Sequence, residues 1–258
     1  MRLKYLFRIC FLGFLLITSE FANAQRKDIV ISDCLSSNSD MLKVKMGTQW
    51  MGRIWNIKFG DYAVVRKSKM SAKTTNQKSN FLGTKSEGKT SYKFSFILTN
   101  KLVDSAFVDA LYSENVNEIQ SFELFRNFYL GRDEVLKDSI NFTARISLNS
   151  NRNDNWNLSL VMTSGTEIEL KHEGVLTNGA RIIWIDPVTS ILDGNDKQTL
   201  PALGYEFTEN GKAICAVQYL GSGAFGYNKN IVWIDSRLKQ EMKLILAASM
   251  TAVLQEKY

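Results

Sequence analysis

The sequence predicts a mainly β protein: an antiparallel, barrel-like domain of about a dozen strands with a buried C-terminal α-helix. Short runs of alternating apolar and polar residues recur along the chain, and clusters of turn-forming residues separate them. The final stretch, LKQEMKLILAASMTAVL, has the pattern of a helix that is apolar almost all the way round. Hydrophobic residues make up 45% of the chain, which is enough to build a packed core.

The N-terminus has the three parts of a cleaved secretory signal peptide. Arg2, Lys4 and Arg8 precede the apolar run ICFLGFLLIT, and the small-x-small site ANA ends at Ala24. The apolar run is about ten residues long, whereas a membrane-spanning helix needs roughly 20. We therefore expect residues 1–24 to be removed and residues 25–258 to form one domain that is periplasmic, at the cell surface or secreted.

Several strands follow from the pattern of side chains. SYKFSFIL alternates cleanly, so that Tyr92, Phe94 and Phe96 share one face. SINFTARISL and WNLSLVM flank the polar tract NSNRNDN and are expected to form a hairpin. DIVIS and YAVV are weaker strand candidates nearer the N-terminus.

Two further segments have specific local signals. FTENGKAI predicts a tight hairpin, because Asn210-Gly211 supplies the positive φ angles of a type I′ turn. DSAFVDALYSENVNEI fits either a short helix capped by Asp104 or a strand followed by a loop, and the pattern favours the helix.

The C-terminal helix is predicted over about residues 236–255, with Asp235 or Ser236 as its N-cap. From residue 242 to residue 254, every position is apolar or small except Lys243 and the hydroxyls Ser249 and Thr251. Such a helix must be surrounded by protein or by lipid. Its apolar part is about 20 Å long at 1.5 Å per residue, against about 30 Å of membrane hydrocarbon, which favours enclosure by protein.

The C-terminal part of the chain resembles a known fold family. The hairpin YEFTENGKAICAVQYL, the strand NIVWID and the apolar helix together are similar to the tubby-like barrel superfamily, which includes tubby, the LURP-one-related proteins and the phospholipid scramblases. The resemblance covers about the last 55 residues. It implies a closed antiparallel barrel that wraps around a central apolar helix.

The residues that usually carry catalysis are sparse. His172 is the only histidine, so a site built on several histidines is excluded. The expected mature chain keeps Cys34 and Cys215, which fit either a disulfide in an oxidising compartment or two buried thiols. GSGAFG matches a dinucleotide-binding spacing, but a strand follows it where that motif needs a helix. The sequence therefore nominates no catalytic residue, no metal ligand and no cofactor.

One segment, residues 66–93, is strongly basic. It carries eight bases and a single acid, Glu87, and reads as a loop rich in Lys, Ser and Thr. Its bases are candidates for binding phosphates of lipid head groups or another polyanion. Nucleic acid is not expected, because aromatic residues are not interleaved with the charges. The bases are Arg66, Lys67, Lys69, Lys73, Lys78, Lys85, Lys89 and Lys93.

Two functional hypotheses follow. The first is an exported, non-catalytic barrel protein whose basic segment binds anionic lipid or a polyanionic cell-surface polymer. The alternative is a carbohydrate- or lipid-active hydrolase with a pair of carboxylates that come together only in the fold. The sequence nominates no such pair and leaves the oligomeric state open.

Overall fold

The computed structural model describes most of the expected mature chain. It covers residues 28–47, 54–68, 71, 74–79, 85–101, 104–119, 122–125, 128–130, 134–165, 168–191, 200–223 and 229–257. The expected signal peptide therefore lies outside the described residues.

The described elements are mostly strands, with a helix near each end of the chain. In chain order they are α1 (Asp33–Asn38), β1 (Ser39–Lys43), β2 (Lys45–Met46), β3 (Ile57–Phe59), β4 (Tyr62–Lys67), β5 (Thr74–Ser79), β6 (Lys85–Asn100), β7 (Ser105–Ile119), β8 (Phe122–Phe125), β9 (Phe128–Leu130), β10 (Glu134–Leu148), β11 (Asn155–Gly165), β12 (Ile168–Thr177), β13 (Ile182–Thr189), β14 (Leu203–Glu209), β15 (Lys212–Leu220), β16 (Ile231–Asp235) and α2 (Gln240–Lys257).

Thirteen strands form one antiparallel, nearly closed barrel. Their order is β1-β16-β15-β14-β13-β12-β11-β10-β7-β6-β4-β3-β2, and β5 continues beside β6. The two ends of this path, β1 and β2, are separated only by Val44, whose N–H donates to the Asn230 carbonyl at 3.0 Å. One stretch of chain therefore pairs with β16 in its first half and with β3 in its second, which brings the two edges together.

The helix α2 is enclosed by the barrel, as the sequence predicts. Every residue from Leu244 to Gln255 is buried. The helix contacts β6, β7 and β10 as well as β15 and β16, which lie far apart along the path of strands. The Ser249 and Thr251 hydroxyls donate to helix carbonyls four residues earlier, at 2.9 and 2.8 Å, so these polar groups are satisfied inside the core.

The helix begins later than predicted and is not capped by Asp235 or Ser236. The carboxylate of Asp235 instead accepts hydrogen bonds from the backbone and the guanidinium of Arg237, at 2.6 to 3.2 Å. These bonds hold residues 235–237 in a turn, and the helix starts at Gln240.

The segment DSAFVDALYSENVNEI is a strand, so the helix favoured from its sequence is wrong. As β7 it pairs with β6 on one side and with β10 on the other, over nearly its whole length. Ala106, Val108 and Ala110 alternate into the core. Two complete ladders of hydrogen bonds and this alternating burial outweigh the local helical propensity of the segment.

The hairpin predictions hold. Asn210 and Gly211 have φ angles of 50° and 74°, and they connect β14 to β15 in the two-residue turn that the sequence predicts. The polar tract after β10 turns the chain into β11. DIVIS, in contrast, forms no strand: residues 28–32 run without regular structure into α1.

The N-terminal segment covers part of the outer surface of the barrel. The N–H of Ile29 donates to the Gln218 side chain at 2.9 Å, and the N–H of Val30 donates to the Thr189 carbonyl at 2.9 Å. Ile29 and Leu35 are buried in a second, smaller core against outward side chains of β15 and β16. Residues 28–38 are therefore an integral layer of the domain.

Candidate binding face

The basic segment is built into the sheet, which corrects its interpretation as a loop. Its described parts are β4, β5 and β6, and β4 and β5 both pair with β6. Between them, Ser68 and Ser71 continue the ladder: each backbone N–H donates to a carbonyl of β6, and each hydroxyl accepts from a β6 N–H, all at 2.8 Å. The described strands of the segment are therefore held in fixed positions by their pairing with β6.

The alternation of the strands decides which bases face solvent. Arg66, Lys89 and Lys93 are exposed on the outside of the barrel. Lys67 has the opposite orientation, because it pairs with the buried Phe96 and its ammonium donates to the Ile54 carbonyl at 2.8 Å.

The remaining predicted bases are described only in part or not at all. Lys78 lies on β5 opposite Glu87, and Lys85 lies on β6 opposite Ile119. Lys69 and Lys73 lie outside the described residues.

A groove of about 620 Å³ lies on the outer surface beside these bases. Its floor is the backbone of β6, β7, β10 and β11, and Ser68 and Ser71 stand at one end. The outward side chains form two rows that cross the four strands in register. One row is Lys93, Leu111, Thr143 and Ser159, and the other is Ser95, Asp109, Arg145 and Asn157.

The groove adds a fourth exposed base, Arg145, that the sequence analysis did not nominate. Its Nε donates to the Asn155 side chain at 3.1 Å. Arg145 faces Asp109 in register and stands two strands from β6. The alternation within SINFTARISL places Arg145 on the face of the strand opposite to the apolar residues. The order of the strands then places it in the same groove as Lys93. We refer to Arg66, Lys89, Lys93 and Arg145 as the basic face.

The salt bridges recorded among the described residues do not involve the basic face. Salt bridges elsewhere occupy Lys101, Arg181, Lys229, Arg237 and Lys257. Within the described part of the chain, no carboxylate forms a salt bridge with any base of the basic face. The exposed cations are placed to attract an external anion, and Asp109 faces one of them, Arg145, from the neighbouring strand.

A second polar cluster lies at the C-terminal end of α2. The side chain of Glu256 is only 5% exposed, and burial raises the pKa of its carboxyl above the ordinary value of 4.5. The Lys257 ammonium lies 3.1 Å from Glu256 Oε2 and stands over the rings of Tyr205 and Tyr219, 5.9 and 5.3 Å from their centroids. Gln255 closes this end by pairing with the backbone of Trp55 at 2.7 and 2.8 Å.

The phenols around Glu256 share its environment. Tyr92 and Tyr112 stack with their ring centroids 4.7 Å apart. Burial, reinforced by the negative charge of Glu256, raises the pKa of Tyr92 to about 12 and raises that of Tyr112 further. Glu114 also raises both values, so two carboxylates lie within electrostatic range of this tyrosine pair.

Cys34 and Cys215 are free thiols, so they form no disulfide in this structure, and only Cys215 is buried as the alternative interpretation requires. Cys215 is wholly buried in the main core, and burial raises its pKa well above the ordinary value. Cys34 is exposed on α1, outside the barrel, with its sulfur 3.8 Å from the Arg237 guanidinium. The two thiols therefore belong to different layers of the protein.

His172 and the described part of GSGAFG are not among the residues that line the groove. His172 lies within β12, and the second half of GSGAFG lies outside the described residues. Among the side chains that the structure describes, no three His, Cys, Asp or Glu residues gather in a way that would hold a metal ion. No helix in the described ranges is both long and apolar enough to cross a membrane.

The fold thus defines a class of protein, an antiparallel β-barrel enclosing its C-terminal helix. Comparison of the chain with protein families, curated proteins and solved structures finds no match.

Proposed function

We propose that this is an exported, non-catalytic barrel protein that binds an anionic surface, either anionic lipid head groups or a polyanionic polymer at the cell surface. The observation that carries the proposal is the basic face: four exposed cations on one side of the barrel, none of them in a salt bridge with a described carboxylate. A partner of opposite charge would supply the missing counter-charge.

The expected strength of this attraction is moderate. Each base near an anionic membrane contributes about 1 kcal/mol. Four bases together would give about 4 kcal/mol, or roughly a thousandfold in affinity. The Debye length is about 8 Å at physiological ionic strength, so the binding should weaken markedly as salt is added.

Export is part of the same proposal. The signal-peptide pattern of residues 1–24 supports delivery to the periplasm, the cell surface or the medium. In any of these places a fixed basic surface meets lipid head groups and charged polymers.

We also propose kinship with the tubby-like barrels. The support is the combination of a nearly closed antiparallel barrel and a C-terminal helix that is buried all round. Both features match what the C-terminal resemblance implies.

The test reverses charges on the basic face. A Lys89→Glu/Lys93→Glu variant should bind a supported bilayer containing anionic lipid at least a hundredfold more weakly than the wild type, measured by surface plasmon resonance. Lys212→Glu/Lys239→Glu is the matched control, because both lysines are exposed and lie at the opposite end of the barrel. Equal losses of bilayer affinity in the two variants would mean that binding depends only on the net charge of the protein, and would contradict binding through the basic face.

A second candidate function, a hydrolase, is favoured by one observation. Glu114 and Glu256 both lie within electrostatic range of Tyr92 and Tyr112, and burial raises the pKa of the Glu256 carboxyl, which is the direction that a general acid needs. Hydrolysis of polysaccharides or lipid esters that is abolished by Glu256→Gln would support this candidate. If the wild type hydrolyses neither polysaccharides nor lipid esters, the hydrolase candidate is rejected.

A further inference from the structure

The groove on the outer face has a chemical character that the basic face alone does not explain. Of the eight side chains in its two rows, four carry a neutral hydroxyl or amide, and these stand beside two bases and one acid. The strands that form its floor are about 4.8 Å apart, so the rows repeat donors and acceptors at a regular spacing across the sheet. A simple phosphate site would need the cations but not these rows.

The composition of the groove matches the groups of a sugar chain. Hydroxyls of Thr143 and Ser159 can donate to and accept from sugar hydroxyls, and the amide of Asn157 offers both kinds of partner. Leu111, which is 37% exposed, offers an apolar contact within the first row, between Lys93 and Thr143. Lys93 and Arg145 can bind an acidic substituent, and Arg145 can do so with two parallel hydrogen bonds.

The shape of the site points in the same direction. A groove that crosses four strands accommodates a linear chain laid across the sheet, whereas a bilayer presents a broad surface to the protein. The outer strand surface is also polar well beyond the groove: Ser91, Ser113 and Asn141 occupy the next outward positions on β6, β7 and β10.

We propose that this groove binds a segment of an acidic polysaccharide, with Lys93 and Arg145 holding its anionic groups and the hydroxyl and amide rows holding its sugar rings. This inference rests on the proposed function in that Lys93 and Arg145 also belong to the basic face. It narrows the partner to a polymer whose uncharged hydroxyls are hydrogen-bonded by the groove and whose acidic groups are bound by its cations.

The experiment fills the groove without changing its charge. Thr143 is exposed on β10 within the groove, so Thr143→Trp places an indole across it. Thr208→Trp is the matched control, because Thr208 lies on the outward side of β14, away from the groove. Binding of polygalacturonate, with neutral dextran as reference, is measured by calorimetry, and binding of anionic vesicles is measured in parallel. Thermal unfolding of each variant verifies that it is folded.

The expected result is that the wild type binds polygalacturonate and not dextran. Thr143→Trp should lose at least tenfold in polygalacturonate affinity while its vesicle binding is unchanged, and Thr208→Trp should keep both. Undiminished polygalacturonate binding by Thr143→Trp would overturn the groove as the site, as would equal binding of dextran. A wild type that binds vesicles but not polygalacturonate would overturn this inference and leave the proposed function standing. A wild type that binds neither polygalacturonate nor anionic vesicles would overturn both this inference and the proposed function.

Discussion

Glu256 is an acid in an environment that disfavours its charge. Its side chain is almost wholly buried, and the charged or titratable groups that face it are Lys257, Tyr92, Tyr112, Tyr205 and Tyr219. Lys257 lowers the pKa of the carboxyl, but desolvation is the larger effect and the net direction is upward. The folded state therefore holds a proton more tightly here than the unfolded chain does.

This linkage predicts that Glu256→Gln increases the stability of the protein by an amount that depends on pH. Below pH 4.5 the carboxyl is protonated in both states, so the substitution should change little. Above pH 4.5 the unfolded chain ionises first, and the wild type loses stability as the pH rises through the folded pKa. The variant should therefore have the higher Tm at pH 7, with the difference vanishing as the pH falls below 4.5. A lower Tm for the variant at pH 7 would mean that the pairing with Lys257 outweighs burial.

Gly174 is required by the packing of the barrel wall. A Cβ at this position would lie 2.5 Å from Leu160 Cδ2 and 2.8 Å from Ile185 Cβ. Gly174→Ala should therefore lower the free energy of unfolding by about 1–3 kcal/mol, measured by urea denaturation. Gly88→Ala is the matched strand control, because its Cβ would meet only the Val116 carbonyl at 4.0 Å. Equal stability of the two variants would contradict this account of the packing.

At the scale of elements, the helix α2 fills the barrel that the strands enclose. Its apolar side chains from Leu244 to Leu254 belong to the main core together with inward residues of β6, β7 and β10. Without the helix, these inward faces would surround a cavity far larger than a single side chain leaves, and even such small cavities are costly.

Removing the helix should therefore abolish cooperative folding. A chain truncated before Asp235 is expected to show no cooperative thermal transition by near-ultraviolet circular dichroism, because the aromatic residues of the wall lose their packing. Removal of Tyr258 alone serves as the control and should leave the transition in place. A truncated chain that unfolds at the Tm of the wild type would refute the enclosed helix.

The sequence predicts these elements unequally. The helix is identifiable because it has no polar stripe, and the β14–β15 hairpin because Asn210-Gly211 dictates its turn. The strand β7 is mistaken for a helix because its conformation is set by two neighbouring strands that no local pattern reveals. The basic segment is mistaken for a loop for a similar reason. Its strands β4 and β5 are held by pairing with β6, and the local sequence does not reveal that pairing.

At the scale of the whole molecule, strand order creates the candidate site. Lys93 is conspicuous in a basic segment. Arg145 lines the same groove because a single strand, β7, separates β6 from β10. The groove exists only where four strands have been laid side by side. Composition therefore identifies the positive charge of the surface, whereas only the order of the strands reveals Arg145 and the groove that it lines.

The central claim is that this barrel carries its basic face to bind an anionic partner. The most direct measurement is co-flotation of the mature wild-type protein with vesicles, comparing neutral with anionic lipid at low and high salt. We predict flotation with anionic vesicles at low salt, its loss at high salt because the charges are screened, and no flotation with neutral vesicles. Flotation that ignores lipid charge and salt, or no flotation with anionic vesicles even at low salt, would contradict the claim.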